Sequence, residues 1–272
     1  MTKVSFEFFP PKTEKGREKL DVTREKLGEF SPEYFSVTYG AGGSTRDNTR
    51  DIVLGIQSQG QEVAPHLSFG TDDQVAIRQL LQSYVDSGVS RVVALRGDLP
   101  SGMGTVKPVY ASELVTFIRE EFGDHFKIAV ACYPEVHPEA ENFQQDVAYL
   151  KAKLDAGADY AVTQYFYNAE AFYYFLEASE KSGIDKPIVP GIMPITNAEN
   201  LIRFSDACGA DIPRWLRKAM LDQKSQDDLL AFGEELVTKL CQQLIDGGAP
   251  GFHFYTMNQF EPTARICRNL SL

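Results

Sequence analysis

Eight short runs of apolar, β-prone residues recur along this chain, and most are followed by a segment with helical periodicity. Strands that alternate with helices predict a parallel sheet, and eight such units are the number that closes a (β/α)8 TIM barrel. A chain of 272 residues suits such a barrel, which typically has about 250 residues. The runs begin near Val4, Tyr34, Glu62, Arg91, Lys127, Tyr160, Pro187 and Gly251.

The interval between the last two runs is the longest and leaves room for extra helices before the last strand. We place these helices around residues 213–221 and 226–244. No Ser/Gly-rich linker or low-complexity stretch interrupts the series of runs. The sequence therefore predicts a single catalytic domain over residues 1–272, an α/β fold of the (β/α)8 TIM barrel type.

Charge and cysteine content narrow the class of protein. The formal net charge of −11 argues against a nucleic-acid partner, because phosphates require a basic face. No apolar run approaches the roughly 18 residues that span a bilayer, so we expect no membrane segment. The four cysteines form no Cys-x-x-Cys motif, and no basic and apolar leader precedes Val4. Reduced thiols in a cytoplasmic protein are therefore expected.

One face of most predicted strands carries small or polar residues, and we predict that this face points toward the barrel axis. Its members are Ser5 and Glu7, Ser36 and Thr38, His66 and Ser68, Ala94, Arg96 and Asp98, and Ala129, Ala131 and Tyr133. The carboxyl ends of barrel strands meet at one mouth, where active sites lie. Six polar strand ends should converge there, namely Glu7, Thr38, His66, Asp98, Tyr133 and Gln164.

Glu7 is the strongest candidate for a catalytic acid. It lies in a strand of apolar and aromatic residues that stops at Pro10 and Pro11, because proline cannot donate to a sheet. An ionised carboxylate is poorly solvated there, so we predict that its pKa rises toward the range of a general acid. The alternative is a structural carboxylate that pairs with an arginine or caps a helix.

Several common catalytic motifs are missing from the sequence. It has no complete Gly-x-Gly-x-x-Gly, Gly-x-Ser-x-Gly, Walker or His-Glu-x-x-His motif, and no lysine at a predicted strand end. His66 and His137, with Glu7 and Asp98, lack the spacing of metal ligands, so no metal site is predicted. His253 lies in the middle of a strand and is expected to be a hydrogen-bonded core histidine.

Two strand ends continue into loops that are suited to a planar polar ligand. The first runs from Val92 to Pro100 and carries Arg96, Gly97 and Asp98, and the second covers residues 131–140 with Tyr133 and His137. Asp146, Tyr149 and Lys153 then fall on one face of a predicted helix. This helix face either borders the ligand or is a solvated, salt-bridged surface.

Taken together, these segments resemble the methylenetetrahydrofolate reductase family over nearly the whole chain. The most specific blocks are Phe6-Glu-Phe-Phe-Pro-Pro11, Val37-Thr-Tyr-Gly-Ala41, Ala64-Pro-His-Leu67, Ala94-Leu-Arg-Gly-Asp98, Tyr133-Pro-Glu-Val-His-Pro-Glu-Ala140, Ala156-Gly-Ala158 with Thr163-Gln164, Pro190-Gly-Ile192 and His253-Phe-Tyr-Thr256. The resemblance implies a homo-oligomeric flavoprotein with only the catalytic barrel. Such an enzyme passes reducing equivalents from NADH or NADPH through FAD to 5,10-methylenetetrahydrofolate, giving 5-methyltetrahydrofolate.

The resemblance also implies roles for individual residues. Glu7 matches the general acid that protonates the bridging folate nitrogen, and Asp98 matches a carboxylate near the flavin and the pterin. Gln164 matches a residue that contacts the folate and the nicotinamide in turn. Thr38 matches a nicotinamide-side contact, and Phe204 an aromatic residue that packs on either ligand.

The FAD site implied by the family covers many positions, of which Arg96 and Lys153 would meet the pyrophosphate charge. The matching residues are Thr38, Tyr39, Ala41, His66, Arg96, Gly97, Asp98, Ala111, Tyr133, His137, Ala140, Asp146, Tyr149, Ala152 and Lys153. Two folate-contacting positions depart from the family pattern. Gln259 stands where relatives commonly carry arginine, and Asn200 where bacterial relatives often carry glutamine.

Two other functions remain open from the sequence. One is a metal-dependent barrel lyase or hydrolase, built on the polar strand ends. The other is a non-catalytic member of the same family that binds flavin or folate without turnover. The intact Glu7 and Asp98 favour the reductase over the second alternative.

Overall fold

The structure is a computed structural model that describes residues 2–39, 43–69, 74–96 and 109–272, with the backbone alone at 43–46. Strands and helices alternate along the chain. Their bounds are β1 Lys3–Phe8, α1 Glu14–Gly28, β2 Tyr34–Val37, α2 Gly43–Ser58, β3 Val63–Leu67, α3 Gln74–Asp86, β4 Arg91–Ala94, α4 Ala111–Phe122, β5 Lys127–Cys132, α5 Phe143–Asp155, β6 Tyr160–Thr163, α6 Ala169–Lys181, β7 Ile188–Val189, β8 Gly191–Ile192, α7 Ala198–Cys208, α8 Arg214–Leu221, α9 Gln226–Asp246, β9 Gly251–Tyr255 and α10 Glu261–Asn269.

Within the described residues, nine strand segments form one parallel sheet in the order β7-β6-β5-β4-β3-β2-β1-β9-β8. The segments β7 and β8 are two halves of one predicted strand, separated by Pro190, because a proline cannot continue the ladder. β7 pairs with β6, and β8 pairs with β9. The predicted barrel of eight strand positions is therefore confirmed, with its seventh strand split between two neighbours.

The predicted extra helices lie between β8 and β9. They are α8 and α9, and they follow α7. The start of α7 is stabilised by Asn197, whose side chain accepts the backbone N–H of Asn200, and the start of α9 by Ser225, which accepts the N–H of Asp228. α7 ends at Gly209, which has φ of 75° and so adopts the left-handed conformation that glycine tolerates best.

The two faces of the sheet belong to different apolar clusters. Large side chains such as Phe6 and Val37 pack outward under the helices, whereas a smaller cluster fills the inside of the barrel. The inner cluster is Tyr34, Ala64, Val93, Ala129, Tyr160 and Val162. The polar members of the inner face, including Ser5, Ser36 and His66, are likewise buried.

The predicted orientation of β4 is wrong. His66 on β3 pairs with Val93, and Val93 pairs with Ala129 on β5, so Val93 and not Ala94 faces the barrel axis. Ala94 belongs to the outer cluster. The run from Val92 to Leu95 is apolar at every position, so alternation could not indicate its inner face, which the register with the neighbouring strands decides.

Two further findings bear on the expectations from composition. No helix in the described part of the chain is long and apolar enough to cross a bilayer. Cys132, Cys208, Cys241 and Cys267 are all free thiols.

Candidate active site

The carboxylate of Glu7 lies between two histidines at the carboxyl end of β1. His66 Nε2 on β3 is 3.2 Å from Glu7 Oε2, and His253 Nε2 on β9 is 3.4 Å from the same oxygen. The side chain of Glu7 is 17% exposed, whereas that of His253 is 3% exposed. Glu7 therefore retains access to the barrel mouth while both imidazoles approach it from within the protein.

The predicted rise in the pKa of Glu7 is wrong for this structure. Burial does raise the pKa of the carboxyl, but the charges and N–H groups of His66 and His253 outweigh it and lower this pKa to about 2. The sequence predicted that His66 shares the barrel mouth with Glu7, but it did not indicate that His253 on the last strand also meets this carboxylate. The alternative, in which an arginine pairs with Glu7, is wrong, because the partners of this carboxylate are two histidines.

His66 Nε2 is a buried polar atom whose geometry leaves it without a well-aligned hydrogen-bond partner among the described residues. Its contact with Glu7 at 3.2 Å is an ion-pair approach when the ring is protonated. Buried polar groups in native proteins are usually satisfied by protein, water or ligand. The polar group that faces this buried atom is therefore the carboxylate of Glu7.

His253 lies beside Glu7, a position that the sequence did not predict for it. It is a buried, hydrogen-bonded core histidine, as expected, with Nδ1 2.7 Å from Ser5 Oγ. Its other ring nitrogen, however, faces Glu7. The detectable signal was that His253 and Tyr255 alternate on the last strand in the same way as Ser5 and Glu7 alternate on the first.

The segments after β1 and β9 are joined to each other at the mouth. Thr256 Oγ1 donates to the carbonyl oxygen of Glu7 at 2.6 Å. The side chain of Asn258 accepts the N–H of Phe9 at 3.0 Å and donates to its carbonyl oxygen at 2.8 Å. Asn258 has φ of 54°, a left-handed conformation that asparagine tolerates better than most residues. Gln259 follows this turn and donates its backbone N–H to Thr256.

The loop after β5 is held against α5. Asp146 Oδ2 accepts the backbone N–H of His137 at 2.8 Å, and the ring of His137 packs edge-on against Tyr133 with centroids 4.5 Å apart. Asp146 is 9% exposed, so a solvated, salt-bridged surface is the wrong interpretation for this position. Burial lowers the pKa of Lys153, whose Nζ donates to the carbonyl oxygen of Ala131 at 2.5 Å.

Arg96 bridges two loops at the mouth. Its two terminal nitrogens donate to the carboxylate of Glu139, with Nη2 2.8 Å from Oε1. The arginine hydrogen bond and charge lower the pKa of Glu139. Arg96 and Lys153 therefore lie in neighbouring barrel units, as two cations that could meet an anionic ligand.

Three of the four predicted folate-side residues lie just after β6 or on α7. Gln164 follows β6 and accepts the N–H of Tyr165 through its side-chain oxygen at 3.0 Å. The ring of Phe204, which is 48% exposed, stacks on Tyr165 with centroids 6.1 Å apart. Asn200 begins the same helix, and its side chain accepts a hydrogen bond from Arg203 at 3.0 Å.

The other predicted positions are also at the carboxyl ends of strands or on the helices that follow them. Thr38 follows β2 and donates its N–H to Phe8, and Tyr39 comes next. Ala111 is the first residue of α4, Ala140 lies in the loop after β5, and Tyr149 and Ala152 are exposed on α5. Ala41, Gly97 and Asp98 lie outside the described residues.

Comparisons with known proteins identify the family of this chain. A family model described as methylenetetrahydrofolate reductase matches residues 1–271. The 5,10-methylenetetrahydrofolate reductase of Escherichia coli (strain K12) is 40% identical over 273 residues, which cover 99% of this chain and 90% of that protein. The methylenetetrahydrofolate reductase (NADH) 1 of Arabidopsis thaliana is 39% identical, over 100% of this chain and 48% of that protein.

A solved structure shares the fold at lower sequence similarity. It is an uncharacterized protein from Clostridium thermocellum that binds two copies of 5-methyl-5,6,7,8-tetrahydrofolic acid. Its TM-score is 0.64 at 18% identity, with 98% of this chain and 93% of that chain covered. At this identity the likeness concerns the fold alone.

Proposed function

The chain belongs to the methylenetetrahydrofolate reductase family, and on that premise we propose how it reduces 5,10-methylenetetrahydrofolate to 5-methyltetrahydrofolate. Reducing equivalents come from NADH or NADPH and pass through FAD, so that the two substrates react in turn at one site. Residues 1–272 are one catalytic domain, which acts in the cytoplasm as a homo-oligomer. The observation that carries the proposal is the Glu7 carboxyl at the barrel mouth, in contact with two imidazoles.

The residues at the mouth fit FAD. Arg96 and Lys153 provide positive charge for a pyrophosphate. The ring of His66 lies at the same mouth, with its Nε2 facing Glu7 Oε2 at 3.2 Å. When bound, FAD supplies the hydride that reduces the folate carbon. Tyr133, His137 and Asp146 form a connected wall on which such a group can rest.

Glu7 acts as the general acid in this proposal. Its proton goes to the bridging folate nitrogen, which opens the five-membered ring and leaves an electrophilic iminium carbon. Burial favours the protonated carboxyl, whereas the charges of His66 and His253 favour the carboxylate. Glu7 can therefore act as the acid only in a state in which its carboxyl holds a proton, and the two imidazoles are the groups that oppose this state.

Substrate contacts are assigned to the residues around α7 and the turn after β9. The exposed ring of Phe204, supported by Tyr165, offers an apolar surface to a pterin or a nicotinamide. Gln164 offers a side-chain amide at the end of β6. Asn200 and Gln259 are the two positions that depart from the family pattern, and Asp98 completes the proposed set of catalytic residues with Glu7.

The absorption spectrum of the purified protein tests the proposal. We expect a yellow protein whose flavin absorbance is bleached by anaerobic NADH or NADPH and restored by methylenetetrahydrofolate. A colourless protein that is inhibited by chelators would instead indicate the metal-dependent lyase or hydrolase. A yellow protein that is inert with both nucleotides would indicate the non-catalytic family member.

The acid assignment is tested by Glu7→Gln. The variant should be bleached by the nucleotide as the unaltered protein is, but its reoxidation by methylenetetrahydrofolate should slow by about 10²-fold or more, the usual size of a general-acid contribution. Glu180→Gln, an exposed residue on α6, is the matched control. Near-normal reoxidation of the Glu7→Gln variant would reject the assignment.

A further inference from the structure

The closest polar contact of His253 is with Ser5, on the strand that also carries Glu7. Ser5 and His253 are directly paired in the parallel register of β1 and β9, and Ser5 Oγ lies 2.7 Å from Nδ1. The other ring nitrogen, Nε2, lies 3.4 Å from both Glu7 Oε2 and Ser36 Oγ. The ring stacks on Tyr34, with centroids 5.9 Å apart. His253 is thus held with one nitrogen toward a hydroxyl and the other toward the catalytic carboxyl.

We infer that His253 supplies the proton that Glu7 gives to the folate, and that Ser5 keeps the remaining ring proton on Nδ1. This inference rests on the proposed function, because it takes Glu7 as the acid. His253 is 3% exposed on its side chain and acts through Glu7, so it is a positioning residue and not a group that touches the substrate.

The hydroxyl of Ser5 can serve both protonation states of the pair. It can donate its hydrogen to an unprotonated Nδ1, which leaves Nε2–H directed at an ionised Glu7. It can equally accept a hydrogen bond from Nδ1–H and direct its own hydrogen toward the carbonyl oxygen of Phe252, 3.4 Å away. A hydroxyl has both capacities. Nε2 then has a free lone pair that accepts a hydrogen bond from a protonated Glu7.

The proton transfer balances within these two residues. An imidazolium at His253 carries protons on both nitrogens, and Glu7 is then ionised. The Nε2–H bond breaks, an O–H bond forms on Glu7 Oε2, and the electron pair of the broken bond stays on Nε2. The products are a neutral imidazole with its proton on Nδ1, held by Ser5, and a protonated carboxyl. Once the folate nitrogen takes that proton, Glu7 and His253 together hold one proton fewer. A proton from solvent then restores the imidazolium.

Other titratable groups around this pair are Tyr34 on β2, His66 on β3 and Tyr255 on β9. Burial raises the pKa of both tyrosines, so each keeps its proton. His66 approaches the same Glu7 oxygen at 3.2 Å, but its Nε2 is not aligned with an acceptor in the described part of the chain. His253 is therefore the better-placed donor of the two.

The test separates the two half-reactions by stopped-flow spectroscopy across pH 5–9. In the unaltered enzyme, the rate of the folate step should fall as pH rises, because the imidazolium donor disappears. His253→Asn should slow this step about 10²-fold and remove that ionisation from its pH profile. Ser5→Ala should slow it about tenfold. Reduction by NADH or NADPH should proceed at the unaltered rate in both variants.

Ser179→Ala is the matched control for Ser5→Ala, because Ser179 is a serine of α6 that is 1% exposed. It should leave both half-reactions unchanged. A second readout needs no turnover. In a ¹⁵N NMR titration of the histidine rings, the midpoint for the signal that is lost in His253→Asn should differ between Ser5→Ala and the unaltered protein, because the ring loses its hydrogen bond to Ser5.

The outcomes distinguish this inference from the proposed function. If Glu7→Gln retains the folate step, the acid assignment itself fails. If Glu7→Gln loses the step but His253→Asn keeps the unaltered rate and pH profile, only the role of His253 is overturned. Should His253→Asn fail to fold, Ser5→Ala decides, since an unchanged pH profile and an unchanged NMR midpoint would overturn the inference.

Discussion

Arg96 and Glu139 form a two-bond ion pair between the loop after β4 and the loop after β5, with Nη2 2.8 Å from Oε1. Arg96 is also a residue that we propose for the FAD pyrophosphate. A carboxylate and a pyrophosphate compete for the same guanidinium face. The carboxylate of Glu139 therefore competes with the pyrophosphate of the proposed FAD for Arg96.

We accordingly expect Glu139→Gln to bind FAD more tightly. The gain should be about threefold in Kd, because an ion pair that is largely exposed contributes only about 0–1 kcal/mol. Arg96→Gln should weaken binding instead. Quenching of FAD fluorescence during titration of the flavin-free protein measures both. Equal affinities for Glu139→Gln and the unaltered protein would show that the pair does not compete.

Gly191 makes the tightest backbone approach at the barrel closure. A Cβ at this position would overlap the carbonyl oxygen of Thr163 and lie 2.6 Å from a ring carbon of Tyr255. Gly191→Ala should therefore lower the free energy of unfolding by about 2–3 kcal/mol, since overpacking shifts backbone and side chains. Urea unfolding at constant flavin concentration measures this change in the free energy of unfolding.

Gly55 provides the matched comparison. It lies within α2, and a Cβ there would meet nothing within 4 Å. Gly55→Ala should raise the free energy of unfolding by about 0.5–1 kcal/mol, because alanine loses less backbone entropy in a helix. If both alanine variants changed stability in the same direction, packing at the closure would not be the cause.

Glu7 should make the folded protein sensitive to acid in a defined range. Its pKa is about 2 in the folded state against 4.5 for a free glutamate, so its stabilising contribution is present above pH 4.5 and is lost as pH falls toward 2. One pKa unit is about 1.4 kcal/mol, so the loss is about 3 kcal/mol. The free energy of unfolding, measured from pH 5 to 2, should fall less steeply in Glu7→Gln than in Glu180→Gln.

Glu135 should produce the opposite pH dependence. Burial and the charge of Asp211 raise its pKa to about 7, despite a hydrogen bond of 2.7 Å from the backbone N–H of Asp211. Its contribution is therefore greatest below pH 4.5 and is lost as pH rises through 7. Glu135→Gln keeps the acceptor but cannot ionise.

We expect Glu135→Gln to be more stable than the unaltered protein at pH 8 by about 1–3 kcal/mol, and nearly equal to it at pH 4. Thermal unfolding at the two pH values measures this difference. A stability gain of the same size at both pH values would point to packing in place of ionisation.

Much of the fold could be predicted from the sequence, because most strands and helices show their own local hydrophobic periodicity. The barrel, its extra helices at α8 and α9, and the closure by β9 against β1 agree with the strand runs and their spacing. β4 was the exception. A run that is apolar at every position does not indicate which of its side chains face the barrel axis. The pairing of Val93 with His66 and Ala129 decides that Val93 does.

For the site, too, the sequence predicts some properties and the tertiary structure decides others. Glu7 could be identified from the sequence as an unusual carboxylate, because an acid in an apolar strand is a local feature. The direction of its pKa could not, because that depends on charges contributed by β3 and β9 at distances of 3.2 and 3.4 Å. Sequence determines which groups are present and on which face of an element they lie. Only tertiary structure decides which of them meet, since electrostatic energies depend on separation and burial, which distant segments set together.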